Sequence, residues 1–221
     1  MRTKIRVWDL PTRIFHWALV LSVIGSMATA QIGGAAMSWH FRSGYAILTL
    51  LMFRLIWGVV GGQWSRFTSF IYTPHATWAY LRGKGHAGQS IGHSPAGAVS
   101  VFVLLAVLLA QVFSGLTSDD EITSAGPLVG LVSSAWVSNA TFYHANVGKL
   151  ILLGLVALHI GAIIYYQLNK KQNLLLPMIN GDKVTDIVRV SSKDTAATRT
   201  LAMAILTGCA LLVAGVIKLA V

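Results

Sequence analysis

Five long runs of apolar residues, separated by polar segments, set the pattern of this chain. The runs cover about residues 14–36, 40–61, 95–117, 144–167 and 199–220. Each is close to the twenty or so apolar residues with which an α-helix crosses the hydrocarbon core of a bilayer. A helix also satisfies its backbone N–H and C=O groups internally, which is necessary where no water is present. The pattern therefore predicts an all-α integral membrane protein with five transmembrane helices.

The composition points to the same class of protein. Hydrophobic residues make up 55% of the 221 positions and charged residues only 11%, whereas about a quarter of the residues in a typical soluble domain are charged. A basic segment precedes the first run, as it does in a signal peptide, but the run leads into a second one without a convincing cleavage pattern. We therefore expect the first helix to be retained.

The basic residues predict how the helices are oriented. The segment between the third and fourth runs, residues 118–143, contains no Lys or Arg and carries Asp119, Asp120 and Glu121. By the positive-inside rule, this loop is periplasmic, the N-terminus is cytoplasmic and the C-terminus is periplasmic. The net charge of +10 is then mainly a topology signal, and no nucleic-acid partner is expected. The basic residues on the predicted cytoplasmic side are Arg2, Lys4, Arg6, Arg13, Arg66, Arg82, Lys84, Lys170, Lys171, Lys183, Arg189, Lys193 and Arg199.

Four of the seven histidines, His16, His40, His144 and His159, lie in or at the end of apolar runs. Ionisable residues at that depth are costly and usually mark function. His144 and His159 share one run and are 15 residues apart, which corresponds to roughly 22 Å along a helix and an angular offset of about 60°. With the predicted orientation, His16 and His159 form a cytoplasmic layer, and His40 and His144 form a periplasmic layer.

Two imidazoles on facing helices can fill both axial positions of a haem iron. Zinc fits less well, because its four ligands must lie within about 2 Å of one ion and the two layers are roughly 20 Å apart. No Asp or Glu lies within a run, which excludes a carboxylate di-iron site and argues against a proton-coupled transporter. The single cysteine, Cys209, provides neither a covalent haem attachment nor an iron–sulfur cluster. Any haem is therefore expected to be bound noncovalently.

The neighbours of these histidines suit a large, flat cofactor. Gly44 and Gly148 each follow a periplasmic-layer histidine by four residues, so a porphyrin could approach the backbone there. The other interpretation is that these glycines are small residues at helix contacts. Arg42, Arg54 and Lys149 lie inside or at the edge of runs, where an unpaired cation is costly. Haem propionates would be natural partners for them, although Arg42 could instead snorkel to the interface.

The remaining histidines fall in the segment 62–94, between the second and third runs. His86 and His93 are interpreted as solvated loop residues, the alternative being that either lines a quinone or haem-propionate site. The dipeptide Ser94–Pro95 predicts a helix start, with serine as the N-cap. The third of these histidines is His75, and the stretches 74–84 and 126–142 are each predicted to be short interfacial helices.

The chain also resembles a known family, the bacterial di-haem cytochrome b561 family, which includes the cytochrome b subunit of nickel–iron hydrogenases. The resemblance covers about residues 5–183 and implies two noncovalent haem b groups with His16, His40, His144 and His159 as axial ligands. We therefore divide the chain into a di-haem domain of four helices, 1–183, and a cytoplasmic linker with an additional fifth helix, 184–221, about which the resemblance says little. The motifs that carry the resemblance are VWDLPTRIFHW, WHFRSGYAIL, RLIWG, SRFTSF, YLRGKG, GHSPAGAVSV, GLTSDDEITSAGPL, YHANVGKLILLGLVALHIGAIIYY and NLLLPMINGDK.

The resemblance implies electron exchange, in the bacterial inner membrane, between the quinone pool and a periplasmic cytochrome or oxidoreductase subunit. A second hypothesis is a self-contained superoxide:ubiquinone oxidoreductase. A third is a membrane scaffold or transporter without redox chemistry. Guiding superoxide requires a positive surface near the outer haem, and the acidic loop around Asp119, Asp120 and Glu121 is the opposite. We therefore favour the electron-transfer subunit.

Overall fold

The structure is a computed structural model, and it describes residues 3–84, 91–122, 124–186 and 189–220. Arg2, one of the basic residues predicted to be cytoplasmic, and His86, predicted to be a loop residue, lie outside these ranges. The helices, in chain order, are α1 (Leu10–Ile32), α2 (Met37–Val60), α3 (Pro74–Leu81), α4 (Pro95–Leu116), α5 (Ser134–Phe142), α6 (Lys149–Leu168), α7 (Leu175–Asn180) and α8 (Ala196–Ala220).

Five helical stretches in the described part of the chain are long and apolar enough to cross a membrane. Many of their large apolar side chains, such as Leu21 on α1 and Leu211 on α8, are exposed. Such surfaces are unfavourable in water and suit contact with lipid. The predicted all-α membrane fold with five spanning helices is therefore confirmed.

The fourth spanning helix is longer than its apolar run. It begins at Ser134, where the Ser133 hydroxyl accepts a hydrogen bond from the Trp136 amide (3.3 Å). The helix then passes through a wider π-helical turn, Tyr143–Gly148, into α6. The prediction of a separate surface helix over 126–142 is therefore wrong. No glycine or proline interrupts the segment between Ser134 and His144, so nothing ends the helix there.

A small antiparallel sheet joins the two ends of the predicted di-haem domain. Strand β1 (Thr3–Arg6) pairs with β2 (Asp182–Thr185), with Arg6 opposite Asp182. The Arg6 guanidinium donates to Asp182 (2.5 Å) and to Asp194 (2.8 Å). Hydrogen bonds from Arg6 lower the pKa of Asp182. The domain boundary predicted at 183 falls within β2.

Two local predictions between α2 and α4 concern helix starts. Ser94 caps α4, because its hydroxyl accepts a hydrogen bond from the Gly97 amide (3.2 Å). The stretch predicted as an interfacial helix contains α3, which Thr73 caps in the same way (3.2 Å). Both predicted helices are present, and the interfacial position of α3 stays a prediction.

The chain divides into two compact units. The first comprises Met1–His16, Arg54–Val103 and Ala157–Ala204, and the second comprises Trp17–Phe53, Leu104–Val156 and Ile205–Val221. His16 and His159 belong to the first unit, and His40 and His144 belong to the second.

Candidate functional site

His40 and His144 face each other in the second unit. His40 lies in the first turn of α2, and His144 lies in the π-helical turn. The centres of their rings are 5.9 Å apart, and the ring planes are nearly perpendicular, at 82°. A metal ion bonded to one nitrogen of each ring, at about 2.0 Å, would hold the ring centres roughly 6 Å apart. The spacing therefore suits two imidazoles that share one metal.

The hydrogen bonds of these rings determine which nitrogen carries the proton. Nδ1 of His40 donates to the backbone carbonyl of Ser26 (3.0 Å). Nδ1 of His144 donates to the backbone carbonyl of Gln111 (2.8 Å). A carbonyl oxygen can only accept, so in the neutral imidazole each Nδ1 is protonated and each Nε2 keeps a free lone pair. Such second-layer bonds orient histidine ligands toward a metal.

A cavity of about 310 Å³ lies against these two rings. This volume is at the lower end of the usual range for cofactor and ligand sites. Its lining is mostly apolar and includes Gly44, where an added methyl group would meet nothing within 4 Å. Lys149 also lines it. The mostly apolar lining and the open glycine suit a flat, apolar group, and Lys149 could pair with an acidic substituent, whereas Asp120 could not.

Two glycines near His144, Gly115 and Gly148, are closely packed. A methyl group on Gly115 would lie 2.6 Å from Cε1 of His144, so the ring occupies the space that a side chain would need. Gly148 is packed against the side chains of Gln111 and Tyr143. Its surroundings are those of a close contact between helices, the second of the two interpretations given above, and differ from the open space beside Gly44.

We expect Gly115→Ala to displace the His144 ring and weaken cofactor binding at this site. Overpacking of this kind costs about 1–3 kcal/mol, which corresponds to about 5- to 150-fold in cofactor dissociation. Gly154→Ala is the matched control, because a methyl group there meets nothing within 4 Å and Gly154 is not among the described residues that line the cavity. Haem release from the two variants, measured by transfer to an excess of apomyoglobin, compares them directly. Equal release rates would contradict the role assigned to Gly115.

Arg42 does not line this cavity in the described part of the chain. Its guanidinium stacks 4.8 Å from the centre of the Trp39 ring, and its side chain is exposed. This position corresponds to the snorkelling alternative for Arg42.

The other two membrane histidines lie in the first unit. His16 lies in the second turn of α1 and His159 lies within α6, and both are half-buried. Among the described residues, no three His, Cys, Asp or Glu side chains are grouped as a metal site. The pairing of His16 with His159 stays a prediction, whereas the rings of His40 and His144 face each other at 5.9 Å.

Asp9 anchors the start of the helix that carries His16. It is fully buried and caps α1 by accepting a hydrogen bond from the Thr12 amide (2.8 Å). Its carboxylate also accepts from the Gly62 amide (3.1 Å), the Ser65 hydroxyl (3.0 Å) and the Trp57 indole (3.3 Å). Asp9 thus ties the first turn of α1 to the end of α2, about two turns before His16. Asp9 was not predicted to have this role, although an Asp before a helical run is a recognised N-cap signal.

His93 is not a solvated loop residue, so that interpretation was wrong. Its ring packs against Trp8 (4.7 Å between ring centres) and Phe70 (4.3 Å), and its Nδ1 is buried. The segment 91–94 is held by neighbouring aromatic residues that come from distant parts of the chain, which its glycine-rich sequence does not reveal. Burial lowers the pKa of His93 to about 3, and the Arg54 guanidinium contributes. The imidazole is therefore neutral at pH 7.

Comparison with known proteins places the chain in a family. Residues 7–181, which include all four membrane histidines, match the family described as prokaryotic cytochrome b561. Three relatives are each named a probable Ni/Fe-hydrogenase B-type cytochrome subunit. No solved structure matches the chain.

The relative from Bradyrhizobium diazoefficiens is 22% identical over 218 residues, or 82% of this chain and 87% of the relative. That from Rhizobium leguminosarum bv. viciae is 24% identical over 221 residues, 83% of this chain and 90% of the relative. The relative from Azotobacter vinelandii is 21% identical over 221 residues, or 81% of this chain and 88% of the relative. With five apolar helices and a family match over most of its length, the chain belongs to the prokaryotic cytochrome b561 family of membrane b-type cytochromes.

Proposed function

We propose that this chain holds two noncovalent b-type haems and passes electrons between the quinone pool and a redox protein outside the membrane. One haem is bound between His40 and His144, and the other between His16 and His159. The observation that carries the proposal is the pair formed by His40 and His144. The ring centres are 5.9 Å apart, and both Nδ1 atoms donate to backbone carbonyls.

Ligation by two histidines favours electron transfer over reactions at the iron. A haem held by two histidines would have no ligand position left for oxygen or another substrate. It would supply one-electron transfer to and from a quinone or a docked protein, and the protein would set its position and polarity.

The residues around the His40/His144 cavity support haem binding there. Gly44 leaves open space beside His40 for a porphyrin face, and Lys149 is available to a propionate. Gly148 contributes through packing, since it allows the close contact with Gln111, whose backbone carbonyl orients His144. Arg42, stacked on Trp39, serves in this proposal as an interfacial anchor of α2.

An acidic cleft in the second unit supports docking of a protein partner. Asp119, Asp120 and Glu121 line an open cleft of about 600 Å³, and Asp120 also lines the His40/His144 cavity. A partner bound at this cleft would therefore lie beside the nearer haem. Acidic residues favour a partner with a basic surface, and its association would weaken as salt rises. The names of the relatives support a redox enzyme as this partner, since they are cytochrome subunits of hydrogenases.

Stopped-flow oxidation tests the proposal. The purified protein is first reduced by a ubiquinol or menaquinol analogue and is then mixed with a basic soluble cytochrome c as probe. We expect fast reoxidation that slows as ionic strength rises and slows further in Asp119→Asn/Glu121→Gln. Asp186→Asn, which neutralises an exposed acid of the first unit, serves as the control. Failure of every quinol to reduce the haems would contradict the quinone link, and fast reoxidation by superoxide alone would favour the self-contained enzyme.

We also propose the orientation that the basic residues indicate. In this arrangement residues 118–143 and the C-terminus are periplasmic, and β1 with the segment 168–198 is cytoplasmic. Reporter fusions after Lys171 and after Ala220 should then report opposite sides of the inner membrane. If both report the same side, α8 does not cross the membrane.

A further inference from the structure

A buried arginine in the first unit has an unsatisfied hydrogen-bond donor. Arg54 lies in the second half of α2, and its side chain is only 3% exposed. Its guanidinium packs 4.7 Å from the centre of the Phe67 ring. Its Nη1 is fully buried and has no hydrogen-bond partner in the described part of the chain. A buried charged donor without a partner is strongly unfavourable, so this arrangement indicates an absent acceptor.

A second unsatisfied donor or acceptor lies nearby. Nδ1 of His93 is also buried without a hydrogen-bond partner among the described residues. The Trp8 and Phe70 rings hold the imidazole in place. Phe70 also contacts Phe67 (5.9 Å between ring centres), the ring over which Arg54 lies, so Arg54 and His93 border the same group of aromatic rings. His159 belongs to the same unit.

The acidic residue that acts on Arg54 is already engaged elsewhere. Asp9 exerts a favourable charge interaction on Arg54. Its two carboxylate oxygens, however, accept hydrogen bonds from four other groups: the Thr12 and Gly62 amides, the Ser65 hydroxyl and the Trp57 indole. No salt bridge to Arg54 is formed within the described residues. The described residues therefore leave Nη1 of Arg54 without an acceptor, and a bound ligand could supply one.

The chemistry of the two positions favours a carboxylate as that acceptor. A guanidinium is the preferred protein partner of a carboxylate, and the bond between them is charge-assisted. A neutral imidazole with a protonated Nδ1 can donate to a second carboxylate oxygen. The haem proposed for the same unit, at the His16/His159 site, brings carboxylates on its propionates.

We infer that Arg54 and His93 together bind one propionate carboxylate of the haem at the His16/His159 site. The inference rests on the proposed function, because it requires a haem at that site.

The test compares haem loss with and without free propionates. The protein is prepared with iron protoporphyrin IX or with its dimethyl ester, in which both propionates are uncharged. The variants are Arg54→Gln and His93→Asn, and Arg54→Lys tests whether charge alone suffices. Arg82→Gln is the matched control, because Arg82 is an exposed arginine of the same unit, stacked on Trp78. Transfer of haem to apomyoglobin is followed for both haems, and optical redox titration provides a second readout.

With the native haem, Arg54→Gln and His93→Asn should each release one of the two haems roughly ten- to hundredfold faster, the range for a lost charge-assisted hydrogen bond. The potential of that haem should fall in Arg54→Gln, because a nearby positive charge favours the reduced iron. With the dimethyl ester, both variants should release haem at the wild-type rate.

Two results would overturn the inference. One is faster release that persists with the ester, which would make the residues structural or place a different anion there. The other is unchanged release with the native haem in both variants. Each substitution removes one donor. If one variant fails to assemble, the other variant still tests the inference. Wild-type protein that binds no haem would contradict the proposed function as well, whereas two haems with ester-insensitive variants would contradict this inference alone.

Discussion

Replacing His144 with alanine is expected to reduce the haem content from two per chain to one. The His144 imidazole is held by the Gln111 carbonyl, with its ring centre 5.9 Å from that of His40. Without it, the iron between them has a single protein ligand, and the haem should dissociate or become high-spin. His159→Ala should remove the other haem in the same way. The pyridine haemochrome assay gives the haem number directly.

His75→Ala is the matched control for these variants. His75 is an exposed histidine of α3, and its replacement should leave both haems bound. Size-exclusion chromatography must show that each variant assembles, because a misfolded chain would lose both haems for trivial reasons. An assembled His144→Ala protein that retains two low-spin haems would contradict the assigned pairing.

Replacing Asp9 with alanine is expected to lower the free energy of unfolding by about 3–5 kcal/mol, since several buried donors lose a charged acceptor at once. The same change should loosen the first turns of α1 and so accelerate haem loss from the His16/His159 site more than from the other site. Asp9→Asn should be intermediate, because an amide keeps one acceptor oxygen but turns a donor group toward other donors. Thermal unfolding in detergent, followed by circular dichroism and by the haem absorbance, measures both effects.

The control for this prediction is Asp186→Asn, in which an exposed acid is neutralised without loss of a buried network. It should leave the unfolding temperature unchanged. An Asp9→Ala protein as stable as the wild type would show that the buried hydrogen bonds of Asp9 do not hold α1 to the end of α2.

The apolar pattern was sufficient to predict the membrane helices, because the lipid bilayer requires a minimum length and an apolar composition of every spanning helix. It was not sufficient for the turn that carries His144. The sequence predicts an α-helix with a constant period of 3.6 residues around His144, whereas Tyr143–Gly148 forms a wider π-helical turn. Such turns depend on packing between helices, here of Gly115 and Gln111 against His144, and are frequent at functional sites.

The polar residues of the first unit were harder to predict for a related reason. Asp9 and His93 obtain their partners from segments more than 40 residues away or from aromatic side chains in other loops. A loop composition rich in glycine predicts exposure on average, and it carries no information about which rings close over one histidine. The strands β1 and β2 were missed because each has four residues and pairs across more than 170 positions of the chain.

Electron paramagnetic resonance of the purified, oxidised protein tests directly whether two haem irons are each held by two histidines. Each iron with two imidazole ligands should be low-spin, so the spectrum should contain two low-spin ferric signals that together account for two haems per chain. A dominant high-spin ferric signal in the undenatured protein, or a total of one haem, would rule out two bis-histidine haems.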